Sequence, residues 1–220
     1  MPVDIVVMKA VSADNDRHAA QVRDQLTEHN VLGLNVMSSP GSGKTALLEA
    51  TIERLGGALR FGVIVGDVFT ANDAERLARH GVKAVQVNTE GSCHMTAHML
   101  GALLPQFDLG KLDVLIVENI GNLICPTAYD LGEHRKVACL STTEGADKIE
   151  KYPRLFSISH VNVVTKADLI PHLDFDLDAV RRGLAALNPD APVLVTSARS
   201  GEGLEDWCGW LERAAAESRG

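Results

Sequence analysis

The sequence predicts an α/β fold, a mostly parallel central sheet with helices on both faces, and three observations lead there. Short β-rich apolar runs alternate with helical patterns along most of the chain, the order that builds parallel sheets. A Gly-rich turn sits between an apolar run and a helical pattern, where such sheets bind ligands. Finally, 220 residues with 45% hydrophobic and 23% charged content suit one packed domain rather than disorder, collagen or a coiled coil.

In chain order, residues 14–30 are polar and charged with periodic Ala19, Val22 and Leu26, a surface helix that makes residues 1–30 an N-terminal helical extension. Residues 31–220 form the main domain. Its strands are expected at 31–37, 61–65, 82–87, 113–117, 137–140, 160–164 and 192–196. Helical periodicity covers 45–55, which stops at Gly56-Gly57, and then 73–80, 94–104, 176–187 and 202–217. No repeat or low-complexity linker interrupts them.

Charge and composition narrow the functions. A net charge of −8 and 4% aromatic residues argue against a nucleic-acid binder, which carries a basic face or a stacking platform. No apolar run approaches the ~18 residues of a membrane span, and Met1-Pro2-Val3-Asp4-Ile5 lacks the basic flank of a secretory signal. A cytoplasmic protein is expected. Its four cysteines, at 93, 125, 139 and 208, are then thiols, and any that cluster bind metal.

The strongest motif is Ser38-Ser39-Pro40-Gly41-Ser42-Gly43-Lys44-Thr45, a phosphate loop with Ser38 where the pattern has its first Gly. The Pro40–Gly43 segment curls around a phosphate, turning the N–H groups of Gly41, Ser42 and Gly43 to it, because Gly41 and Gly43 reach conformations closed to other residues. Lys44 neutralises the β- and γ-phosphates and the Thr45 hydroxyl ligates Mg²⁺. The expected fold is therefore the three-layer P-loop NTPase type. Mg²⁺ needs further oxygen ligands, and Glu118 ends an apolar strand, with Glu118-Asn119-Ile120-Gly121 standing where many GTPases have Asp-x-x-Gly. Asp67 and Asp73 follow a second strand as candidates for a switch segment contacting Mg²⁺ or the attacking water. Lys44, Asp67 and Glu118 are the catalytic candidates. No Gln follows Gly121 in the water-positioning place, so turnover of roughly 10⁻⁴ to 10⁻² s⁻¹ is expected.

Thr165-Lys166-Ala167-Asp168 resembles the Asn-Lys-x-Asp motif of GTPases. A carboxylate at Asp168 accepts from both the ring N–H and the 2-amino group of guanine, a donor pair adenine lacks, while the Lys166 stem covers the base. Ser197-Ala198 resembles the loop that meets the guanine oxygen. A second constellation suits a soft metal. Cys93 and His94 stand at the expected start of a helix, where a thiol ionises readily, and Cys125 lies in the loop after Glu118. Thiolate and imidazole select Ni²⁺ or Zn²⁺. Three ligands leave one position of a tetrahedral shell for solvent, for His98 or for a second protomer. Cys139 and Cys208 read as core thiols.

Taken together, the phosphate loop, Asn-Asp-Ala-Glu-Arg at 72–76, Cys-His-x-x-Ala-His at 93–98 and Glu-Asn-Ile-Gly-Asn-Leu-Ile-Cys-Pro at 118–126 resemble HypB, the GTPase family that assists nickel insertion into [NiFe]-hydrogenases. The resemblance implies a GTP-promoted homodimer with a Ni²⁺/Zn²⁺ site at its interface, a HypA-like zinc-containing partner and a hydrogenase large subunit as client. It also implies a contact near the nucleotide from Lys151, the better candidate of Lys148 and Lys151. No Cys-rich N-terminal motif and no His-rich tract accompany it, so metal handling is expected to rest on the main domain. A urease-type nickel GTPase, a passive nucleotide-binding metal module and a kinase are the competing readings.

Overall fold

The computed structural model describes the backbone of residues 2–67, 72–89 and 92–219 and the side chains of residues 13–66, 73–89 and 92–219. Seven strands form one all-parallel sheet: β1 (Leu32–Met37), β2 (Phe61–Asp67), β3 (Lys83–Asn88), β4 (Val114–Glu118), β5 (Arg135–Ser141), β6 (Val161–Thr165) and β7 (Val193–Val195). Their spatial order is β3-β2-β4-β1-β5-β6-β7. The eight described α-helices are α1 (Pro2–Glu28), α2 (Lys44–Leu55), α3 (Asn72–Ala78), α4 (Ala97–Leu103), α5 (Lys148–Lys151), α6 (Pro153–Ser157), α7 (Leu177–Leu187) and α8 (Leu204–Glu217). Among the described residues no helix is long and apolar enough to cross a membrane.

Alternation along each strand explains the layers. Leu32, Leu34 and Val36 of β1 join Val114 and Ile116 of β4 under α2 and α8, in one core that also holds Trp207. The indole N–H of Trp207 donates to Thr51 Oγ1 at 2.8 Å, so a buried polar atom in this core is satisfied. On the opposite face, Leu115 and Val117 of β4 pack with Val22, Leu26, Leu100 and Leu104 beneath α1 and α4. Ala138 and Leu140 of β5 pack beneath α6 and α7, with Leu155 and Leu184. Helix α1 is the expected surface helix: its periodic Ala19, Val22 and Leu26 are each only 1% exposed, while most of its other described side chains face solvent. Cys139 and Cys208 are buried as expected.

A polar cluster also crosses this interior. Asn35 of β1 donates to Glu133 Oε1 at 3.0 Å and accepts from Asn119 Nδ2 at 3.1 Å. The other Glu133 oxygen accepts from the Leu131 N–H at 2.8 Å, and Lys136 Nζ lies 2.8 Å from Oε1. Burial raises the Glu133 pKa, and the Lys136 ammonium and the Asn35 amide oppose that rise. The cluster fixes Asn119, the residue after Glu118, against the sheet.

Candidate functional site

Strand β1 is central, with β4 and β5 on either side, and the crevice at its carboxyl end is the ligand position of an open parallel sheet. There the phosphate loop turns into α2 with Gly41 at φ 71° and Gly43 at φ 90°, left-handed angles that favour glycine. Ser38, which replaces the pattern's Gly, buries its hydroxyl inside the loop. It donates to the Ser39 carbonyl at 2.8 Å, meets the Ser42 hydroxyl and accepts from Lys44 Nζ at 2.8 Å. Lys44 thus lies folded onto its own loop, its ammonium held where it can turn to an anion.

A cavity of about 470 Å³ opens over this loop, lined by Gly43, Lys44, Thr45, Asp73, Arg76, Glu118 and Gly121 among others. The register pairs Val36 with Glu118 across β1 and β4, which brings the carboxylate to the first turn of α2. Thr45 Oγ1 donates to Glu118 Oε1 at 2.7 Å. The second oxygen, Oε2, is buried without a hydrogen-bond partner, a costly arrangement unless a ligand completes it. Burial pushes the Glu118 carboxyl up to about 7, against the pull of Lys44 and the Thr45 hydroxyl. The Thr45 hydroxyl and the Glu118 carboxylate with its orphaned oxygen form a donor set that fits a hard cation such as Mg²⁺. Gly121 matters by its size: a Cβ there would stand 2.8 Å from the backbone nitrogen and Cα of Pro40, so the loop after β4 presses directly on the phosphate loop.

Asp73 lines the cleft, held at 3.1 Å by Arg76, which also pairs with Glu49 at 2.5 Å. Sequence reasoning gave no role to Arg76, the only guanidinium lining this cavity among the described residues; its spacing of one helical turn from Asp73 was the available signal. The Asp67 side chain lies outside the described residues.

An adjoining groove of about 360 Å³ shares Gly43 and Ala46 with the first and is lined by Leu47, Lys166, Asp168, Ser197 and Ala198. Thr165, standing in for the Asn of the GTPase motif, donates to the Ser42 carbonyl at 2.6 Å and so ties the motif to the phosphate loop. Lys166 adopts φ 59° and donates to the Gly41 carbonyl at 2.7 Å. Asp168 accepts from the Ser197 hydroxyl at 2.6 Å, which links the two base-reading segments. Lys151 lies elsewhere: it is ion-paired with Asp147 on the surface of α5 and lines neither cavity.

Cys93, His94 and Cys125 come together, their ligand atoms within 4.8 Å of one another. Asn122 Oδ1 accepts from the N–H groups of Ile124 at 2.8 Å and Cys125 at 3.2 Å, shaping the loop that delivers Cys125. His94 stacks on Tyr129 with centroids 4.1 Å apart. Its burial lowers the imidazole pKa, which favours the neutral, metal-binding form. Two expectations need correction. Helix α4 begins at Ala97, with Thr96 as its N-cap accepting from Met99 N–H at 3.3 Å, so Cys93 lies in a turn ahead of the helix. Its thiol pKa is raised, first by a hydrogen bond with the Cys125 thiol and then by burial. His98 is not brought to this cluster either; it faces His18 of α1.

Residues 32–195 match the family described as CobW/HypB/UreG, nucleotide-binding domain. The chain is 49% identical over 199 residues to the hydrogenase maturation factor HypB of Azotobacter vinelandii, covering 90% of this chain and 66% of that protein. It therefore spans just under two thirds of that relative's length. To the probable hydrogenase maturation factor HypB of Methanocaldococcus jannaschii it is 37% identical, over 96% of each chain. Among solved structures, that of HypB from Helicobacter pylori in complex with nickel superposes with a TM-score of 0.88 at 36% identity, covering 94% of this chain and 97% of that one. With residues 32–195 matched by the family and HypB relatives 37–49% identical over most of the chain, the chain belongs to the CobW/HypB/UreG family of nucleotide-binding domains and, within it, to the HypB group.

Proposed function

We propose that this protein is a GTP-hydrolysing metallochaperone that assists nickel insertion into the large subunit of a [NiFe]-hydrogenase. The observation that carries the reading is a single loop: Glu118 closes the phosphate cleft at one end and Cys125 completes the metal cluster at the other. Lys44 would counter the phosphate charge, and Thr45 and Glu118 would hold the Mg²⁺ that accompanies GTP, with Asp73 and Asp67 on the switch side. Asp168, already oriented by Ser197, supplies the guanine-specific carboxylate, and Lys166 with Ala198 frames the base. Cys93, His94 and Cys125 supply three soft ligands for Ni²⁺ or Zn²⁺, one short of a closed shell. A GTP-promoted homodimer would complete that shell across its interface. Ile124, 65% exposed beside Cys125, gives such an interface an apolar contact. A HypA-like zinc-containing nickel donor and the hydrogenase large subunit are the partners this reading requires.

The test compares GTP and ATP turnover, with molecular sizing, in the presence and absence of Ni²⁺ and Zn²⁺. Asp168→Asn is expected to weaken GTP by about 2–3 kcal/mol and to favour xanthosine triphosphate, since it turns one acceptor into a donor. Equal use of ATP and GTP by the wild-type chain would overturn guanine specificity.

A further inference from the structure

Away from the cleft and the cysteine cluster, α1 and α4 bring one more pair of metal-binding groups together. The His18 and His98 rings meet edge to face, centroids 4.9 Å apart and planes at 77°, with His18 Nε2 3.4 Å from His98 Nδ1. We propose that this pair is a second metal site, an open two-imidazole seat for a borderline divalent cation such as Zn²⁺ or Ni²⁺, which clamps α1 to α4.

The spacing is the first argument. Two imidazole nitrogens bound to one ion at about 2.0–2.1 Å with tetrahedral angles stand about 3.4 Å apart, the separation found here. A direct N–H···N contact between them would be long at that distance. The second argument is the tautomer. His18 Nδ1 lies 2.9 Å from the Asp14 carbonyl oxygen, which can only accept, so Nδ1 carries the proton and Nε2 turns its lone pair toward His98. An imidazole held from behind by a carbonyl is the usual outer support of a metal-binding histidine. The Asp14 carboxylate stands 3.8 Å from the same Nδ1 and pairs with Arg17 at 2.6 Å, so it backs the ring and leaves Nε2 open.

The third argument is rigidity. Asn15, one turn before His18, accepts from the Ala97 N–H at 3.0 Å and donates to the Asp130 carbonyl at 2.8 Å, while Ala19 and Val22 are buried behind it. Both imidazoles therefore sit on helices locked to each other before any ion arrives. His98 is exposed and His18 partly so, which gives an ion free entry and leaves water to fill its remaining positions. Two neutral imidazoles suit Zn²⁺ and Ni²⁺ and not Mg²⁺. With only two protein ligands the site is weak and exchangeable, a place where an ion rests rather than one that holds the fold together.

This site is independent of the nucleotide and cysteine chemistry, and the experiment keeps them apart. Zn²⁺ is titrated into the full chain carrying Cys93→Ser and Cys125→Ser while long-range proton–nitrogen spectra report each imidazole. His18 Nε2 and His98 Nδ1 are expected to shift together and saturate at one ion per chain. His18→Gln or His98→Gln should abolish the partner's shift and weaken this binding about tenfold or more. In the chain with intact cysteines, either substitution should lower Ni²⁺ stoichiometry by one per chain while the thiolate-to-nickel absorption persists. Shifts spread evenly over His29 and His172 as well, or unchanged Zn²⁺ binding in His18→Gln, would overturn the proposal.

Discussion

Glu118 shows how a single side chain can be set against its own charge. It is 4% exposed, and the loss of water outweighs both the nearby Lys44 and the Thr45 hydrogen bond, leaving its pKa at about 7 against an ordinary 4.5. Between those two values the folded chain keeps a proton that the unfolded chain has released. Its stabilising contribution is fully present below about pH 4.5 and is lost as pH rises through about 7. The nucleotide-free protein is thus expected to lose on the order of 2–3 kcal/mol between about pH 5 and 8 relative to Glu118→Gln, whose carboxamide does not titrate. Urea denaturation at a series of pH values measures this, and a pH-independent difference between the two proteins would contradict it. Cation binding with nucleotide must expel the same proton, so its calorimetric heat near neutral pH should depend on the buffer. The residue was legible as a strand-end carboxylate; its protonation was not, because burial is a property of the folded neighbours.

At the scale of elements, strands were read well because those of a doubly covered parallel sheet are apolar throughout. Their edges moved where the ladder decided them. β5 begins at Arg135, which pairs with Leu34, two residues before its apolar run. α4 starts late because the Thr96 hydroxyl caps it, and Cys93 and His94 form a bend ahead of it instead. Helices α5 and α6, of four and five residues, are too short to show a period. The link between Asn35, Asn119 and Glu133 has no linear trace at all, since its members come from three separate segments. Glu133→Ala would leave Lys136, the Asn35 amide and the Leu131 N–H without their common acceptor. A loss of about 3 kcal/mol or more is expected, with Glu133→Gln recovering part of it. Chemical denaturation decides the matter, and a neutral Glu133→Ala would show that the cluster does not stabilise the fold.

For the whole molecule, the phosphate cleft was plain in the sequence because one contiguous motif builds it, while the metal cluster needed residues more than a strand and a helix apart to converge. Once converged, the two share the segment from Glu118 to Cys125, its ends only seven positions apart, which cannot rearrange at one end without disturbing the other. Ni²⁺ and Zn²⁺ affinity is therefore expected to differ about 5–150-fold between the GDP state and a non-hydrolysable GTP analogue, with the reciprocal effect on nucleotide. Cys125→Ala should erase the difference. Equal affinities in both states would show two independent sites. The same central position of β1 has a consequence during synthesis. Leu32 pairs with Val114 on one side and Leu34 with Arg135 on the other, so β1 leaves the ribosome about 80 residues ahead of its first partner strand. At translation speeds of about 5–20 residues per second that is a wait of roughly 4–16 s. Throughout it an apolar strand with two unpaired edges is attached to a chain that has no sheet to receive it. The strand that anchors the phosphate loop is thus the first strand made and the one that waits longest for a neighbour, and its safe passage falls to whatever shields nascent chains.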